Sequence, residues 1–331
     1  MIKLYWNFRT LLACALAAVA FAAFAATIPG FINPGNLYAL LQTFAPLALV
    51  AVGLAIVMIA GEFDLSIAGL MPLAGLIAVR VSETAGIPAG IAASILTAGA
   101  VGLLNGWLTT RFAVPSLAIT VGTLVLTIGL GFAVTGGKVV TLTNYEFGLW
   151  LDEGILGLLS PRALFMLLLV AGAVWLMAKT WHGVVVRATG SDSARAAASG
   201  LPVGRTLMMV FVLSALFAGI AGSLQGLSLA AGSPGDALTF LLQVVTAAII
   251  GGVALTGGKG QIGGVIAGAL LLAVVSNGMS LQGTSTAVIQ LVNGGLLLAI
   301  VIFDGPLNRL SQRSLDRPAL GGQAPASQPA A

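Results

Sequence analysis

The sequence predicts an all-α polytopic membrane protein with about ten transmembrane helices, and three observations lead to this class. Apolar residues make up 58% of the 331 residues, and charged residues only 7%. The mean hydropathy is +1.07. Apolar runs of about 20 residues, the length that crosses a bilayer as a helix, recur along the chain. A transmembrane β-barrel would instead alternate apolar and polar residues over segments of roughly ten.

The predicted spans are the apolar runs between polar breaks. In chain order they cover residues 11–29, 37–60, 65–82, 88–110, 115–134, 162–180, 206–230, 238–255, 262–280 and 286–303. Lys3 and Arg9 before the first run could belong to a secretory signal, but the many spans that follow favour an uncleaved first span. The stretch 135–161 has room for a short surface helix. The spans form one membrane domain, 1–304, and the Pro-, Ala-, Ser- and Gln-rich segment 305–331 is predicted to be a disordered cytoplasmic tail.

The distribution of basic residues predicts the orientation of the chain. With the amino terminus inside, only three basic residues fall on the outside, namely Arg80, Lys138 and Arg162. The internal segments carry the others: Lys3, Arg9, Arg111, Lys179, Arg187, Arg195, Arg205, Lys259, Arg309, Arg313 and Arg317. Since cytoplasmic loops are enriched in Lys and Arg, both termini are expected in the cytoplasm.

The two halves of the membrane domain, about 11–134 and 162–304, share a faint pattern of polar and glycine residues. The matched positions are Asn105-Gly106 with Asn277-Gly278, Gly86 with Gly258, Gly122 with Gly294, and Asp64 with Asp236. In the span count, the members of each pair lie on opposite sides of the membrane. This pattern is typical of two inverted five-helix halves, which place a permeation route at their interface.

An acidic turn separates the second and third spans. Its sequence, Gly-Glu-Phe-Asp-Leu-Ser over residues 61–66, puts two carboxylates next to apolar helices. Asp64 or Ser66 could cap the third helix by accepting a backbone N–H of its first turn. Alternatively Glu62, Phe63, Asp64 and Ser66 lie at the mouth or gate of a water-filled path. The sequence leaves both interpretations open.

The longest polar, basic interruption is RATGSDSARAAASGLPVGR, residues 187–205. Asp192 and its flanking serines are N-cap candidates, residues 194–199 favour a helix, and Gly200 with Pro202 ends it. The predicted short helix lacks the bulky apolar face of a helix that rests on lipid headgroups. Its small residues favour insertion into a groove of another protein.

Four stretches of this chain resemble the permease subunits of bacterial ABC importers for simple sugars, of the ribose, xylose and arabinose type. They are GEFDLSIAGLMPLAG (61–75), NGWLTTRFAVPSLAITVGTLVLTIGLGFAVTGG (105–137), the basic loop 187–205, and IIGGVALTGGKGQIGGVIAGALLLAVVSNGMSLQG (249–283). The resemblance extends over residues 61–304. It implies a multi-pass protein of the bacterial inner (cytoplasmic) membrane. It further implies three protein partners: a cytoplasmic ABC ATPase subunit, a periplasmic sugar-binding protein, and a second permease copy or paralogue.

The resemblance also assigns a role to the cytoplasmic loop 181–205, which corresponds to the segment that docks on the ATPase. The residues implied in this coupling are Gly190, Asp192, Ala196, Ala197 and Gly200, together with Arg187 and Arg195. One departure is visible: the family commonly has Gly-Gly before its Asp-Leu-Ser, whereas this chain has Gly61-Glu62. The additional carboxylate leaves the substrate preference open.

The sequence offers no set of residues for catalysis or for a cofactor. Cys14 and His182 are the only residues of their types, which argues against multi-Cys or His-rich metal sites. The G-x-G-x-x-G pattern at 258–263 lies between two spans and lacks the acidic residue of a dinucleotide site about 20 positions on. A non-catalytic subunit without cofactor, whose partners include the lipid bilayer but no nucleic acid, is expected.

A neutral sugar would need hydroxyl, amide and aromatic groups along its path. Seven polar residues inside predicted spans are candidates, each of which could instead bond between helices: Asn105, Thr120, Thr123, Gln243, Asn277, Gln290 and Asn293. The alternatives are the same importer class carrying a nucleoside, a furanose-like signal molecule or a branched-chain amino acid, and a stand-alone secondary transporter or channel. A stand-alone secondary transporter needs intramembrane carboxylates for ion coupling, and no carboxylate lies within a predicted span.

Overall fold

A computed structural model of the chain describes residues 8–112, 114–235 and 237–315. It contains thirteen helices and two short strands in these ranges, in the order α1 Phe8–Thr27, α2 Pro34–Ile59, α3 Ile67–Ala85, α4 Ile87–Phe112, α5 Ser116–Thr135, β1 Val140–Thr141, α6 Glu146–Leu151, α7 Pro161–Lys179, α8 Trp181–Ser191, α9 Ser193–Ala198, α10 Val203–Ser228, β2 Ala231–Gly232, α11 Ala237–Ile250, α12 Ile262–Leu281 and α13 Thr286–Leu315.

The predicted class, a polytopic helical membrane protein, is confirmed. Eight of the helices in the described residues are long and apolar enough to cross a bilayer, namely α1, α2, α3, α4, α5, α7, α10 and α12. Two further predicted spans correspond to shorter apolar helices, Leu238–Ile250 within α11 and Thr286–Ala299 within α13. The short surface helix expected within 135–161 is α6.

Helix ends follow local sequence signals. Asn33 caps α2 by accepting from Gly35 N, and Pro34 occupies the first turn, where no N–H is needed. Ser160 caps α7 in the same way, with Pro161 following it. The eighth predicted span, 238–255, is too long, because α11 ends at Ile250. Gly252 there has φ +83°, a left-handed conformation that glycine adopts readily and that stops the helix.

At the carboxyl end, α13 continues to Leu315 and so extends into the segment 305–331 that the sequence predicts as a disordered tail. The Leu-, Arg- and Gln-rich sequence after Pro306 favours a helix. Residues 316–331 lie outside the described part of the chain.

The core of the bundle consists of α2, α3, α10, α11 and α12. Within its most apolar window, α2 is 83% buried, whereas α1 at the periphery is 17% buried. The packing partners of the first half correspond to those of the second. Helices α3 and α4 both pack on α10, while α11 and α12 both pack on α2. Likewise α3 contacts α4 and α5, and α11 contacts α12 and α13.

Contacts between loops define two ends of the bundle. At the first, the α9 end, the α2–α3 turn meets the end of α8 and the loop after α11, and Gly258 N donates to Ile59 O (2.9 Å). At the other, the strand end, β1 pairs antiparallel with β2, Val140 opposite Gly232. Loops that the sequence assigns to one side of the membrane therefore contact one another.

Candidate functional site: a coupling surface and a cavity

The α9 end presents a short exposed helix. Asp192 caps α9 by accepting from Arg195 N (2.9 Å), as the sequence predicts. Its other carboxylate oxygen pairs with Arg195 Nε (2.8 Å), and the Arg195 side chain is 89% exposed. Ala196 is buried and faces the bundle, whereas Ala197 is exposed. Gly200 ends the helix in a left-handed conformation, φ +79°, with open space around it. The surface that α9 offers is thus small and exposed.

Helix α8, residues Trp181–Ser191, is an element that the sequence analysis treats as part of a loop. Its sequence has a modest apolar content, so that no span is visible there, and its apolar residues Val185 and Val186 face the bundle. Arg187 is half-buried and donates through Nη1 to Met177 O (2.7 Å) and Gly183 O (3.0 Å). Burial lowers the pKa of the Arg187 guanidinium. Arg187 therefore ties α8 to the end of α7 and does not face outward.

Gly190, near the end of α8, lies in close contact with the core of the bundle. A Cβ at this position would overlap the carbonyl oxygen of Ile59, at the end of α2. Gly61 and Gly257 approach the same point, because a Cβ on either would lie near the Gly190 backbone. Three glycine-containing segments therefore meet backbone to backbone, and the end of α8 lies directly against the end of α2.

The acidic turn forms a buried polar chain. Asp64 Oδ1 accepts from Ser66 N (3.2 Å) and from Ser66 Oγ (2.5 Å). Ser66 Oγ in turn accepts from Asn105 Nδ2 (2.9 Å), and Asn105 Oδ1 accepts from Thr123 Oγ1 (2.7 Å). Asp64, Ser66 and Asn105 have no exposed surface. The chain joins the start of α3 to α4 and α5, so these polar residues bond between helices and do not line an open path.

The side chain of Ser66 does not cap α3, whereas Asp64 accepts the backbone N–H of Ser66, immediately before the first residue of the helix. Ser66 occupies the N-cap position without a side-chain capping bond, because its hydroxyl is engaged by Asp64 and Asn105. The rest of the turn is fixed to α5: Phe63 N donates to Ser116 Oγ (2.9 Å), and Thr120 Oγ1 donates to Phe63 O (3.2 Å). Glu62 is half-buried.

The Asp64 carboxyl is fully buried and acts as a hydrogen-bond acceptor for Ser66. Desolvation by burial raises its pKa, and hydrogen bonds from Ser66 oppose that shift. Its Oδ2 has no hydrogen-bond partner among the described residues, and neither does Ser214 Oγ beside it. An amide at this position would keep the acceptor oxygen and supply a donor to Ser214.

We therefore expect Asp64→Asn to keep most of the stability of the protein. Asp64→Ala should destabilise the protein by about 1–3 kcal/mol, because it leaves buried hydroxyl and amide groups without their acceptor. Thermal unfolding of both purified variants, followed by size-exclusion chromatography, measures the difference. If Asp64→Asn proves as damaging as Asp64→Ala, the charge itself is required.

The remaining path candidates are distributed over several contacts. Asn277 and Asn36 exchange two side-chain hydrogen bonds of 3.0 Å between α12 and α2, near the strand end. Asn293 Nδ2 donates to Ser276 Oγ (3.3 Å), and the exposed Gln290 donates to Thr239 Oγ1 (3.4 Å). These contacts join α13 to α12 and α11. Of the seven candidates, Gln243 is the one on the described wall of a cavity at the strand end.

That cavity opens at the strand end, between α2, α3, α10 and α11, and has a volume of about 490 Å³. Pro46, Met71, Leu76 and Phe240 contribute to its apolar wall. The polar side chains on its wall are Gln42, Thr43, Arg162, Gln225, Ser233 and Gln243. A largely apolar pocket with a few polar groups that both donate and accept hydrogen bonds suits a small polar molecule.

Five of these six polar residues are absent from the sequence candidates. Gln42 and Gln225 lie within predicted spans, and polarity alone does not tell which face of a helix meets a cavity. Arg162 enters the sequence analysis only through the distribution of charge. Across the described part of the chain, no group of three or more His, Cys, Asp or Glu side chains could hold a metal ion.

Comparison with known proteins gives a consistent set of relatives. A family model described as "Branched-chain amino acid transport system / permease component" matches residues 36–301. The L-arabinose ABC transporter permease protein AraH of Azospirillum brasilense is 34% identical over 258 residues, 78% of this chain and 76% of the relative. The xylose/arabinose import permease protein XylH of Sulfolobus acidocaldarius is 31% identical over 252 residues, 73% and 70% of the two chains.

A third relative is the ribose import permease protein RbsC of Escherichia coli (strain K12). It is 28% identical over 257 residues, which cover 75% of this chain and 78% of the relative. No solved structure matches the chain significantly.

Proposed function

Because this chain belongs to the family of ABC-transporter permease components, which includes sugar permeases, we propose that it forms the membrane path of an ATP-driven importer for a neutral monosaccharide. The resemblance to simple-sugar permeases seen in the four sequence stretches is confirmed. In the proposed importer, a separate cytoplasmic subunit binds and hydrolyses ATP. A periplasmic binding protein delivers the sugar, and a second permease copy or paralogue completes the path in the bacterial inner membrane.

The observation that carries this proposal is the position of the cavity. It is formed by the second and third spanning helices of each half, α2 and α3 with α10 and α11. Inverted repeats place their substrate route at this kind of interface. The matching helix packing in the two halves supports the inverted arrangement. So does the placement of Asn105 near the α9 end and of its counterpart Asn277 near the strand end. Asp236, the counterpart of Asp64, lies outside the described residues.

In the proposed topology the α9 end faces the cytoplasm, with both termini on that side, and the strand end faces the periplasm. The exposed, small-residue surface of α9 is then the ATPase contact. Its position next to Gly190 supports this role, since Gly190 connects it to α2, and α2 lines the cavity through Gln42, Thr43 and Pro46.

The charges around the cavity support a neutral cargo. Arg162 is the only ionisable residue among the described residues that line it, and Asp152 pairs with its Nε at 2.8 Å. A branched-chain amino acid, named in the family description, would need partners for two opposite charges. A nucleoside would need a wide aromatic surface, and Phe240 is the one aromatic side chain on the described wall. A neutral sugar fits the several amide and hydroxyl groups.

We expect cells that produce this chain with its ATPase and binding protein to accumulate L-arabinose, D-xylose or D-ribose, the sugars that the relatives' names carry. Uptake of the radiolabelled sugars, adenosine and L-leucine measures the preference. Cells without this chain are the control. Accumulation of adenosine or leucine, with no accumulation of any of the three sugars, would contradict the proposed cargo.

A further inference from the structure

The cavity wall contains a cation whose position is fixed by residues outside the cavity. Arg162, in the first turn of α7, has a side chain that is only 10% exposed. Its Nε donates to Asp152 Oδ1 (2.8 Å), which is the single hydrogen bond that the guanidinium makes to the described residues. The four N–H groups on its two terminal nitrogens therefore have no partner among the described residues, and the side chain lines the cavity.

Asp152 is itself held by two other helices. Its Oδ2 accepts from Ser228 Oγ (2.5 Å) at the end of α10, and its backbone carbonyl accepts from Tyr38 Oη (2.6 Å) of α2. The carboxylate thus has a fixed position between α2, α7 and α10. A guanidinium bound to it through Nε is held in place beside the cavity, and its charge is compensated within the protein.

A second unpaired donor lies on the same wall. Gln42 Oε1 accepts from Ser160 Oγ (2.9 Å), and its Nε2 is buried without a partner among the described residues. Ser160 is two residues before Arg162, so both contacts occur at the start of α7. Unsatisfied buried donors are costly, and a ligand with several acceptor oxygens would satisfy them.

We propose that Arg162 contacts the cargo directly through its terminal nitrogens, and that Asp152 positions it and cancels its charge, so that the cavity selects an uncharged polyhydroxyl molecule. This inference rests on the proposed function and adds a specificity-determining pair to it. The hydroxyl oxygens of a sugar accept from Arg162, whereas a sugar acid would bring its carboxylate to a guanidinium that Asp152 already neutralises.

The test uses the purified full-length chain in nanodiscs, with a reporter thiol on the cavity wall. Cys14→Ser removes the native thiol, and Ser233→Cys places one on an exposed wall position. The rate of labelling by a methanethiosulfonate reagent is measured against rising concentrations of L-arabinose, D-xylose and D-ribose. At least one sugar should slow the labelling. Arg162→Gln should raise the half-protecting concentration by about 3- to 10-fold, the ratio expected for the loss of one hydrogen bond.

Two further variants separate recognition from structure. Arg111→Gln removes an exposed cation at the other end of the bundle and should leave protection unchanged. Asp152→Asn leaves the Arg162 charge uncompensated, so that L-arabinonate, which should not protect the parent protein, becomes protective. If Arg162→Gln does not fold, the same labelling assay is performed with Arg162→Lys and Asp152→Asn.

Two results would overturn the inference: protection by none of the sugars, or an equal response of the Arg162 and Arg111 variants together with no protection of Asp152→Asn by the acid. Because labelling needs neither ATP nor partner proteins, its outcome is independent of the energy source. Protection in a chain that shows no ATP-driven uptake would contradict the proposed function and leave the inference standing.

Discussion

Gly200→Trp and Ala197→Arg are each expected to abolish sugar uptake while leaving membrane insertion intact. Both positions are exposed on or next to α9, and no described atom lies within 4 Å of a Cβ placed at Gly200. A bulky or charged side chain there would block a protein contact without disturbing the bundle, although the left-handed Gly200 adds local backbone strain. Uptake, and co-purification of the ATPase with the tagged chain, are the two measurements.

The matched control is Gly157→Trp. Gly157 also has a left-handed conformation, φ +71°, and open space around it, but it follows α6 at the strand end. It should leave ATPase co-purification unchanged. Normal co-purification and transport in both the Gly200 and Ala197 variants would remove α9 from the proposed contact.

Gly190→Ala is expected to destabilise the protein, whereas Gly204→Ala should be neutral or stabilising. Both glycines lie in helices, α8 and α10, where alanine is favoured over glycine by about 1 kcal/mol. At Gly190 the added methyl would overlap the Ile59 carbonyl, and at Gly204 it would meet open space. Overpacking of this kind costs roughly 1–3 kcal/mol, so the two substitutions should differ in sign.

Thermal unfolding of the two purified variants beside the parent protein measures this difference. Uptake should also fall in Gly190→Ala, because the contact between α8 and α2 is displaced. Equal melting temperatures for the two variants would show that α8 is not packed on Ile59 as the structure places it.

The positions of the spanning helices could be predicted from the sequence because a run of about 20 apolar residues has few other solutions in a bilayer. The N-cap of the short helix α9 was also predictable. Asp192 accepts from the backbone N–H of Arg195, three residues later, which is the usual spacing of an N-cap bond. Helix α8 was missed because its segment mixes polar and apolar residues and lies in the longest loop. The end of α11 was misplaced because Gly251 and Gly252 continue an apolar run while stopping the helix.

The candidate path was harder to predict. Asn105 and Thr123 are polar residues in apolar helices, which is equally typical of a pore and of an interhelical bond, and here they bond to each other. Gln42 and Gln225 have the same character but face the cavity. Whether such a residue bonds to another helix or faces the cavity depends on how α2, α3, α10 and α11 cross. The sequence of one helix does not determine that crossing. The pairing of Arg162 with Asp152 likewise joins two elements whose proximity is set by the fold.

The energy source tests the central claim most directly. Proteoliposomes should contain the chain with the ATPase and ATP inside, and the sugar with its binding protein outside. Uptake is expected to require all these components, to persist when an uncoupler collapses the proton gradient, and to be negligible in liposomes that hold the chain alone. Robust proton- or sodium-dependent sugar transport by the isolated chain would contradict this account and identify it as a secondary transporter.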